Sequence, residues 1–353
     1  MAGLAAAARL RELGVETRVL EKGTRPGGSM LLSSCVVWRY RKWETFRSEC
    51  PGGDPVLQRV VWEQLDDAVA WLESLGAPVV WHETGNPQTV GKRFDPVGLT
   101  DALVRAAGDV TCACTNMHIG HGHTCSILAT GGFQGDARLV ATHIRPARGL
   151  RLRANPWSTG DGLRYALAHG GRTSVGMDEF YGRNMPDADF TAADFVSKAQ
   201  LYGRYARVFN EHGEEFFTGD VSWSETDLVQ ATARQPNARA WYVLDDDALA
   251  QRLRDRSVTE MVASAPTRLE PSDLPFPAPP NARVAVRVSP GITHTIGGIR
   301  IDARARVVDG AGRPIDGLFA AGADAGGISA GGYASGLAAA LVFGRIAAES
   351  VRA

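Results

Sequence analysis

The chain has 353 residues, 44% of them hydrophobic and 22% charged, with a net charge of −1. That is globular composition, long enough for one large domain or two of ordinary size. The near-neutral balance excludes a charge-driven nucleic-acid or anionic-membrane partner, and no run of ~20 apolar residues is present to span a bilayer.

In chain order, residues 2–13 are rich in Ala, Leu and Arg and predict a helix stopped by Gly14. The apolar-then-charged order of this start is the reverse of a secretory signal. Residues 15–21 predict a short strand ending at Glu21, followed by a Gly/Pro loop over 22–28. Apolar residues at Val61, Leu65, Ala68, Leu72 and Leu75 have helical spacing, with Gly76 as a stop. Thr100 is placed to cap a helix ending before Gly108. A buried strand over 126–130 leads into Gly131-Gly132, and a short helix over 161–169 closes at Gly170-Gly171. The middle is more polar and aromatic: a turn at Asn210-Glu211-His212-Gly213, a helix over 225–234 and a strand over 240–244. Residues 266–280 are proline-rich and predict a linker. Strands over 284–288 and 317–321 and a helix over 335–350 finish the chain. Helix–strand alternation at both ends around a different middle predicts an α/β fold interrupted by an inserted α+β domain.

A dinucleotide fold needs a strand, a glycine turn, a helix, a second strand and an acid at its end. The helix, the second strand and Glu21 are here, and Gly3 fits the last glycine of G-x-G-x-x-G, where helix and strand pack closely. The first strand and two glycines would lie before Met1, so the numbered start is expected to cut into the motif. Beyond it stand Glu21-Lys22-Gly23-Thr24-Arg25-Pro26-Gly27-Gly28-Ser29, Ala129-Thr130-Gly131-Gly132-Phe133, Ser158-Thr159-Gly160-Asp161-Gly162 and Gly317-Leu318-Phe319-Ala320-Ala321-Gly322. Those four segments, in that order, resemble the fumarate reductase/succinate dehydrogenase flavoprotein superfamily, whose relatives include ketosteroid dehydrogenases and tricarballylate dehydrogenase.

The resemblance implies a Rossmann-like FAD-binding domain over 1–180 and 286–353, interrupted by a capping domain over 181–285. It implies FAD as cofactor, with Gly3, Glu21, Lys22, Gly27, Gly28, Ser29, Thr130, Gly131, Gly132, Asp161, Gly322, Asp324, Ser335, Gly336 and Leu337 toward it. In the family the last helix points its N-terminus at the flavin pyrimidine ring, a positive half-dipole where reduced flavin gathers negative charge. The implied chemistry is oxidation or reduction of a carbon–carbon bond beside a carbonyl or carboxylate, by hydride exchange with flavin N5.

Pro290-Gly291-Ile292-Thr293-His294-Thr295-Ile296-Gly297-Gly298 resembles the family's H-T-x-G-G segment, whose histidine hydrogen-bonds a substrate oxygen. His294 is therefore a site candidate. The fumarate reductases carry two arginines that this chain lacks. Counting back from Gln235-Pro236, the first falls at Glu225 or a neighbour; the second falls at Tyr333. Without them a dicarboxylate loses its charge-assisted pairing. Tyr333 instead resembles the ketosteroid dehydrogenase branch, where one tyrosine polarises a ketone and another takes a proton. Tyr181 and Tyr202 are candidates for that second tyrosine, with aromatic packing as the competing role; Glu225 reads as a solvated helix residue rather than a base, and Arg183 as a surface ion pair, with contact to an acidic substrate as its alternative.

Residues 109–126 hold Cys112, Cys114, Cys125, His118, His121 and His123. Their spacing fits no zinc pattern, so no metal is expected and a divergent stretch of coding sequence is the better reading. Cys35 and Cys50 read as ordinary thiols, and five cysteines in a chain this long imply no disulfide framework, hence a cytoplasmic protein. The expected partner is a small-molecule substrate, with the electron acceptor left open. Two other readings stay open: a flavoprotein oxidase of another class, with an amine or hydroxyl donor, and a truncated, non-catalytic fragment.

Overall fold

A computed structural model describes residues 1–115, 125–253 and 256–352. His118, His121 and His123 lie outside them. The chain divides into two compact units: Met1–Leu139 with Asn155–Glu179 and His294–Ala353, and Val140–Ala154 with Phe180–Thr293. The sequence reading put its boundaries at 180 and 285, and did not assign Val140–Ala154 to the middle unit.

In the first unit the opening helix, Ala2–Glu12, buries Leu4, Leu10 and the run Ala5–Ala8. Small side chains let it pack closely against the last helix, Gly336–Arg352. A Cβ on Gly344 would lie 2.7 Å from the Ala2 carbonyl oxygen, so only glycine permits that crossing. Gly3 plays the same part toward the strand Ser126–Leu128 and its exit: a Cβ there would lie 3.3 Å from Ala129 Cβ.

The strand expected over 15–21 is ladder-bonded only at Val19–Leu20, where it pairs in parallel with Val110–Thr111. A separate sheet joins Arg306–Val308, Pro314–Ala320 and Ser126–Leu128, the last two in parallel. A third, antiparallel sheet has the order Val36–Tyr40, Thr89–Phe94, Val79–Trp81. The helix predicted from Val61 starts earlier, at Pro55, where Asp54 accepts the Val56 and Leu57 N–H groups. Likewise Asp95, not Thr100, caps the next helix, Pro96–Ala107; the Thr100 hydroxyl bonds back to Pro96 O at 2.7 Å. Asp-Pro beats Thr here because proline's fixed φ suits the first helical position.

The second unit is a seven-stranded sheet centred on the long strand Val284–Thr295. Ala240–Leu244 runs antiparallel to it and is buried on both faces. Tyr202, Leu228, Tyr242, Val258, Met261 and Val286 fill the core on one side. The Asn210–Gly213 turn closes a hairpin between Arg207–Phe209 and Glu215–Phe217, with Asn210 Oδ1 accepting the His212 and Glu214 N–H groups. The proline-rich stretch is not a linker. Arg268–Leu269 pairs with the long strand, and Leu274 and Phe276 pack on Phe209 and Trp241. No helix among the described residues is long and apolar enough to cross a membrane.

Candidate functional site

The glycine-containing segments singled out in the sequence meet within the first unit. Asp324 is fully buried, and its carboxylate accepts the Thr130 N–H, the Thr130 hydroxyl at 3.0 Å and the Gly132 N–H at 3.0 Å. Thr130 Oγ1 in turn accepts the Gly162 N–H at 3.0 Å. Lys22 bonds Thr159 Oγ1 at 2.6 Å and Asp161 Oδ2 at 2.7 Å, so the loop after the first strand is tied to the 158–162 turn. Ser29 Oγ accepts the Asn155 N–H at 3.2 Å, and Glu21 accepts the Gly23 N–H at 2.6 Å.

Asp324, Lys22 and Asp161, expected toward the cofactor, make these bonds within the scaffold. Asp324 is the clearest case: burial raises its pKa, and the Thr130 and Gly132 donors oppose that rise. Its role is to hold the turn that presents backbone. The turn itself needs glycine, since Gly131 and Gly132 stand at φ 93° and 83°. A Cβ on Gly132 would lie 2.9 Å from both Gln134 Oε1 and Thr295 Oγ1, two buried atoms without hydrogen-bond partners among the described residues. This is a backbone cradle edged by unsatisfied polar groups. A dinucleotide cofactor fits it, because its phosphates and hydroxyls can use bare N–H groups and polar acceptors together.

The second gathering is at the N-terminus of the last helix. Ser335 caps it, accepting the Ala338 N–H at 3.3 Å. The Gly336 N–H points to the Tyr333 hydroxyl at 3.4 Å. The His294 and Tyr333 rings are 5.8 Å apart, and a Cβ on Gly336 would sit 2.9 Å from His294 Nε2. Tyr333 is held from behind by Trp38, ring to ring at 6.0 Å, and by Tyr40, whose hydroxyl donates to Tyr333 O at 2.8 Å. Neither Trp38 nor Tyr40 was singled out from the sequence; they sit on a strand whose proximity to Tyr333 no local pattern encodes.

His294 Nδ1 lies 3.0 Å from Thr295 O. A carbonyl oxygen only accepts, so the proton is on Nδ1. Burial lowers the pKa of the ring, with the Thr295 bond opposing, which favours the neutral form. A neutral ring protonated on Nδ1 presents Nε2 as an acceptor. In this tautomer His294 can bond a substrate hydroxyl but cannot donate to a carbonyl oxygen. The Tyr333 phenol, accepting from the helix N-terminus, is the group that can donate there.

Tyr181 belongs to the second unit, half-buried, with the Arg183 guanidinium 5.3 Å from its ring centre. Tyr202 is in that unit's core, fully buried, bonded to Gln200 and edge-on to Tyr242 at 5.8 Å. Burial holds its hydroxyl protonated far above the usual range, which removes it as a proton acceptor. Glu225 is also buried, at 4% exposure, and is not the solvated residue its sequence suggested. It precedes the helix Thr226–Ala233 in the left-handed region, φ 52°, which turns its side chain inward. Arg183 is half-buried and donates to Ser224 O.

Comparison with known proteins gives the following. The FAD binding domain family profile matches residues 99–337, and that of an NAD(P)-binding Rossmann-like domain matches residues 1–34. A probable fumarate reductase, Ifc3, of Shewanella frigidimarina is 25% identical over 375 residues, covering 84% of this chain and 61% of that protein. The chain thus spans under two thirds of that relative's length. In fold it is similar to the open conformation of a flavocytochrome c3 fumarate reductase, with TM-score 0.71 at 22% identity, covering 99% of this chain and 76% of the other. It is also similar to a 3-ketosteroid-delta4-(5alpha)-dehydrogenase of Rhodococcus jostii, with TM-score 0.70 at 18% identity, covering 99% and 94%.

Proposed function

The chain belongs to the FAD binding domain family, whose profile spans residues 99–337, and from that premise we propose that it oxidises or reduces a carbon–carbon bond next to a ketone. The observation that carries this reading is the Tyr333 phenol bonded to the Gly336 N–H at the N-terminus of the last helix, with the His294 ring 5.8 Å away.

FAD would be held by the backbone of Gly27–Ser29, of Gly131–Gly132 and of Gly322, and by the Gly336–Leu337 end of the last helix, with Gly3 supplying the close packing beneath. When bound, it supplies hydride exchange at N5. The chain's own residues supply polarisation. Tyr333 donates its hydroxyl to the ketone oxygen, and the helix N-terminus supports the partial charge that builds there. His294 Nε2 accepts a hydrogen bond from the ligand, or from a hydroxyl formed on it. The resemblance gives Tyr181, a residue of the second unit, as the second tyrosine, the one that would take or give the proton on the carbon next to the hydride centre. A neutral phenol in place of the reductases' arginine disfavours a dicarboxylate, because a buried carboxylate without a cation is costly to desolvate. Relatives named as fumarate reductases and a ketosteroid dehydrogenase support the bond type; the Tyr333 position favours the latter substrate class. The five free thiols agree with work in a reducing cytoplasm.

The test is direct. The full chain is loaded with FAD and desalted, and its visible spectrum is followed anaerobically with a 3-ketosteroid and, separately, with succinate. Bleaching by the ketone and none by succinate is expected. A colourless protein, or bleaching by succinate alone, would reject the reading.

A further inference from the structure

The second unit contains a buried ionisable group that the scheme above does not use. Glu225 Oε1 has no hydrogen-bond partner among the described residues, and neither has Arg204 Nε. Both side chains line one small cavity, with Arg183, Leu201, Trp223 and Leu253 as its other walls. Its volume of about 20 Å³ is room for a single water and too little for a carboxylate or phosphate.

The two guanidiniums are anchored by the loop that carries Glu225. Arg204 donates to Ser222 O at 2.9 Å and lies 4.5 Å from the Trp223 ring centre; Arg183 donates to Ser224 O. Asp227, two residues beyond Glu225, is turned to the Ser222 N–H and hydroxyl. The remaining groups facing Glu225 are the Tyr202 and Tyr242 hydroxyls, both driven to stay protonated by burial, and Arg256 acts on Tyr202 from beyond. Two effects oppose each other at Glu225. Burial disfavours its charge. Arg183, Arg204 and the Gly203 and Arg204 N–H groups favour it. Burial prevails, and the carboxyl titrates at about 7. A group poised there exchanges its proton readily at neutral pH.

We propose that Glu225, Arg204 and Arg183 form a proton-exchange site of the second unit, in which one water seated between Glu225 Oε1 and Arg204 Nε carries the proton to and from the carboxyl. Arg204 Nε–H donates to the water oxygen. The protonated carboxyl gives its proton to that oxygen, and the water releases one of its own hydrogens outward. The carboxylate left behind is balanced by the two guanidiniums, whose joint charge with it falls from +2 to +1.

The experiment is difference infrared spectroscopy of the full chain across a pH titration, in H2O and D2O, for the wild type and Glu225→Gln. A protonated-carboxyl C=O band that disappears as pH rises through neutrality, is absent from E225Q and shifts promptly on transfer to D2O is expected. Absence of such a band, its persistence in E225Q, or a band that resists deuterium exchange would overturn the proposal. Should E225Q fail to fold, Glu225→Asp keeps a carboxyl in place: a titrating band with a moved midpoint supports the site, and an unmoved one rejects it. Flavin bleaching plays no part in this readout, so failure of the proposed function leaves it standing or falling by itself.

Discussion

At the residue scale, the site divides into side chains that touch a ligand's position and side chains that hold backbone in place. In the proposed reading Tyr333 and His294 are in the first group, by their place at the helix N-terminus. Tyr333→Phe removes one hydroxyl and keeps the ring packing on Trp38 and His294. It should lower the rate of substrate-induced flavin bleaching by roughly 10²-fold or more, the usual loss for one donor at a developing oxyanion, with an unchanged resting flavin spectrum. Bleaching at the wild-type rate would remove Tyr333 from the mechanism. The His294 and Tyr333 positions were legible in the sequence because each sits in a motif. Glu225 was located by counting from Gln235-Pro236, yet its burial was not legible, since a left-handed φ at a non-glycine residue leaves no compositional trace.

At the element scale, the first unit depends on turns and helix crossings that tolerate little added volume. Asp324→Ala would leave the Thr130 and Gly132 donors without their acceptor in a buried turn, costing about 1–3 kcal/mol per abandoned group at most. A lower melting temperature and faster loss of FAD on desalting are expected; full FAD retention would mean that the turn is held by other contacts. Gly344→Ala would drive a Cβ against the Ala2 carbonyl, and overpacking of that kind costs about 1–3 kcal/mol. Thermal unfolding should show it as a loss of several degrees. Helix existence was readable from periodicity, but caps were not always: Asp95 won over Thr100, and a proline-rich stretch became strand and core because Leu269, Leu274 and Phe276 had an apolar face to meet. Proline content marks chain stiffness; it does not say whether neighbours offer a surface.

At the scale of the whole molecule, buried titrating groups should shape stability against pH. Glu225 has its folded pKa raised, from 4.5 to about 7, chiefly by burial. Its contribution is therefore complete below 4.5 and is lost as pH rises through about 7, an effect on the order of 3 kcal/mol at 1.36 kcal/mol per pH unit. His294 works in the other direction. Its folded pKa is lowered by burial, so its contribution is present above 6.5 and is lost as pH falls. Denaturant unfolding between about pH 5 and 8 should show the wild type losing stability on the alkaline side and E225Q losing less. Parallel profiles for the two proteins would mean that Glu225 is ionised throughout.

The sequence by itself determined the α/β class, the family and most elements, because glycine turns, apolar periodicity and motif order are local properties that survive in one dimension. It also marked His294 and Tyr333. Only the tertiary structure decided which hydrogen bonds those groups make. The bond from His294 Nδ1 to Thr295 O fixes an accepting Nε2, the Gly336 N–H sets the Tyr333 hydroxyl, and Asp324 is consumed by Thr130 and Gly132. It also turned Glu225 from a surface residue into a buried acid between two arginines. Hydrogen-bond partners and burial are set by residues far apart in the chain, and they decide which side of an ionisation or a hydrogen bond a group is on.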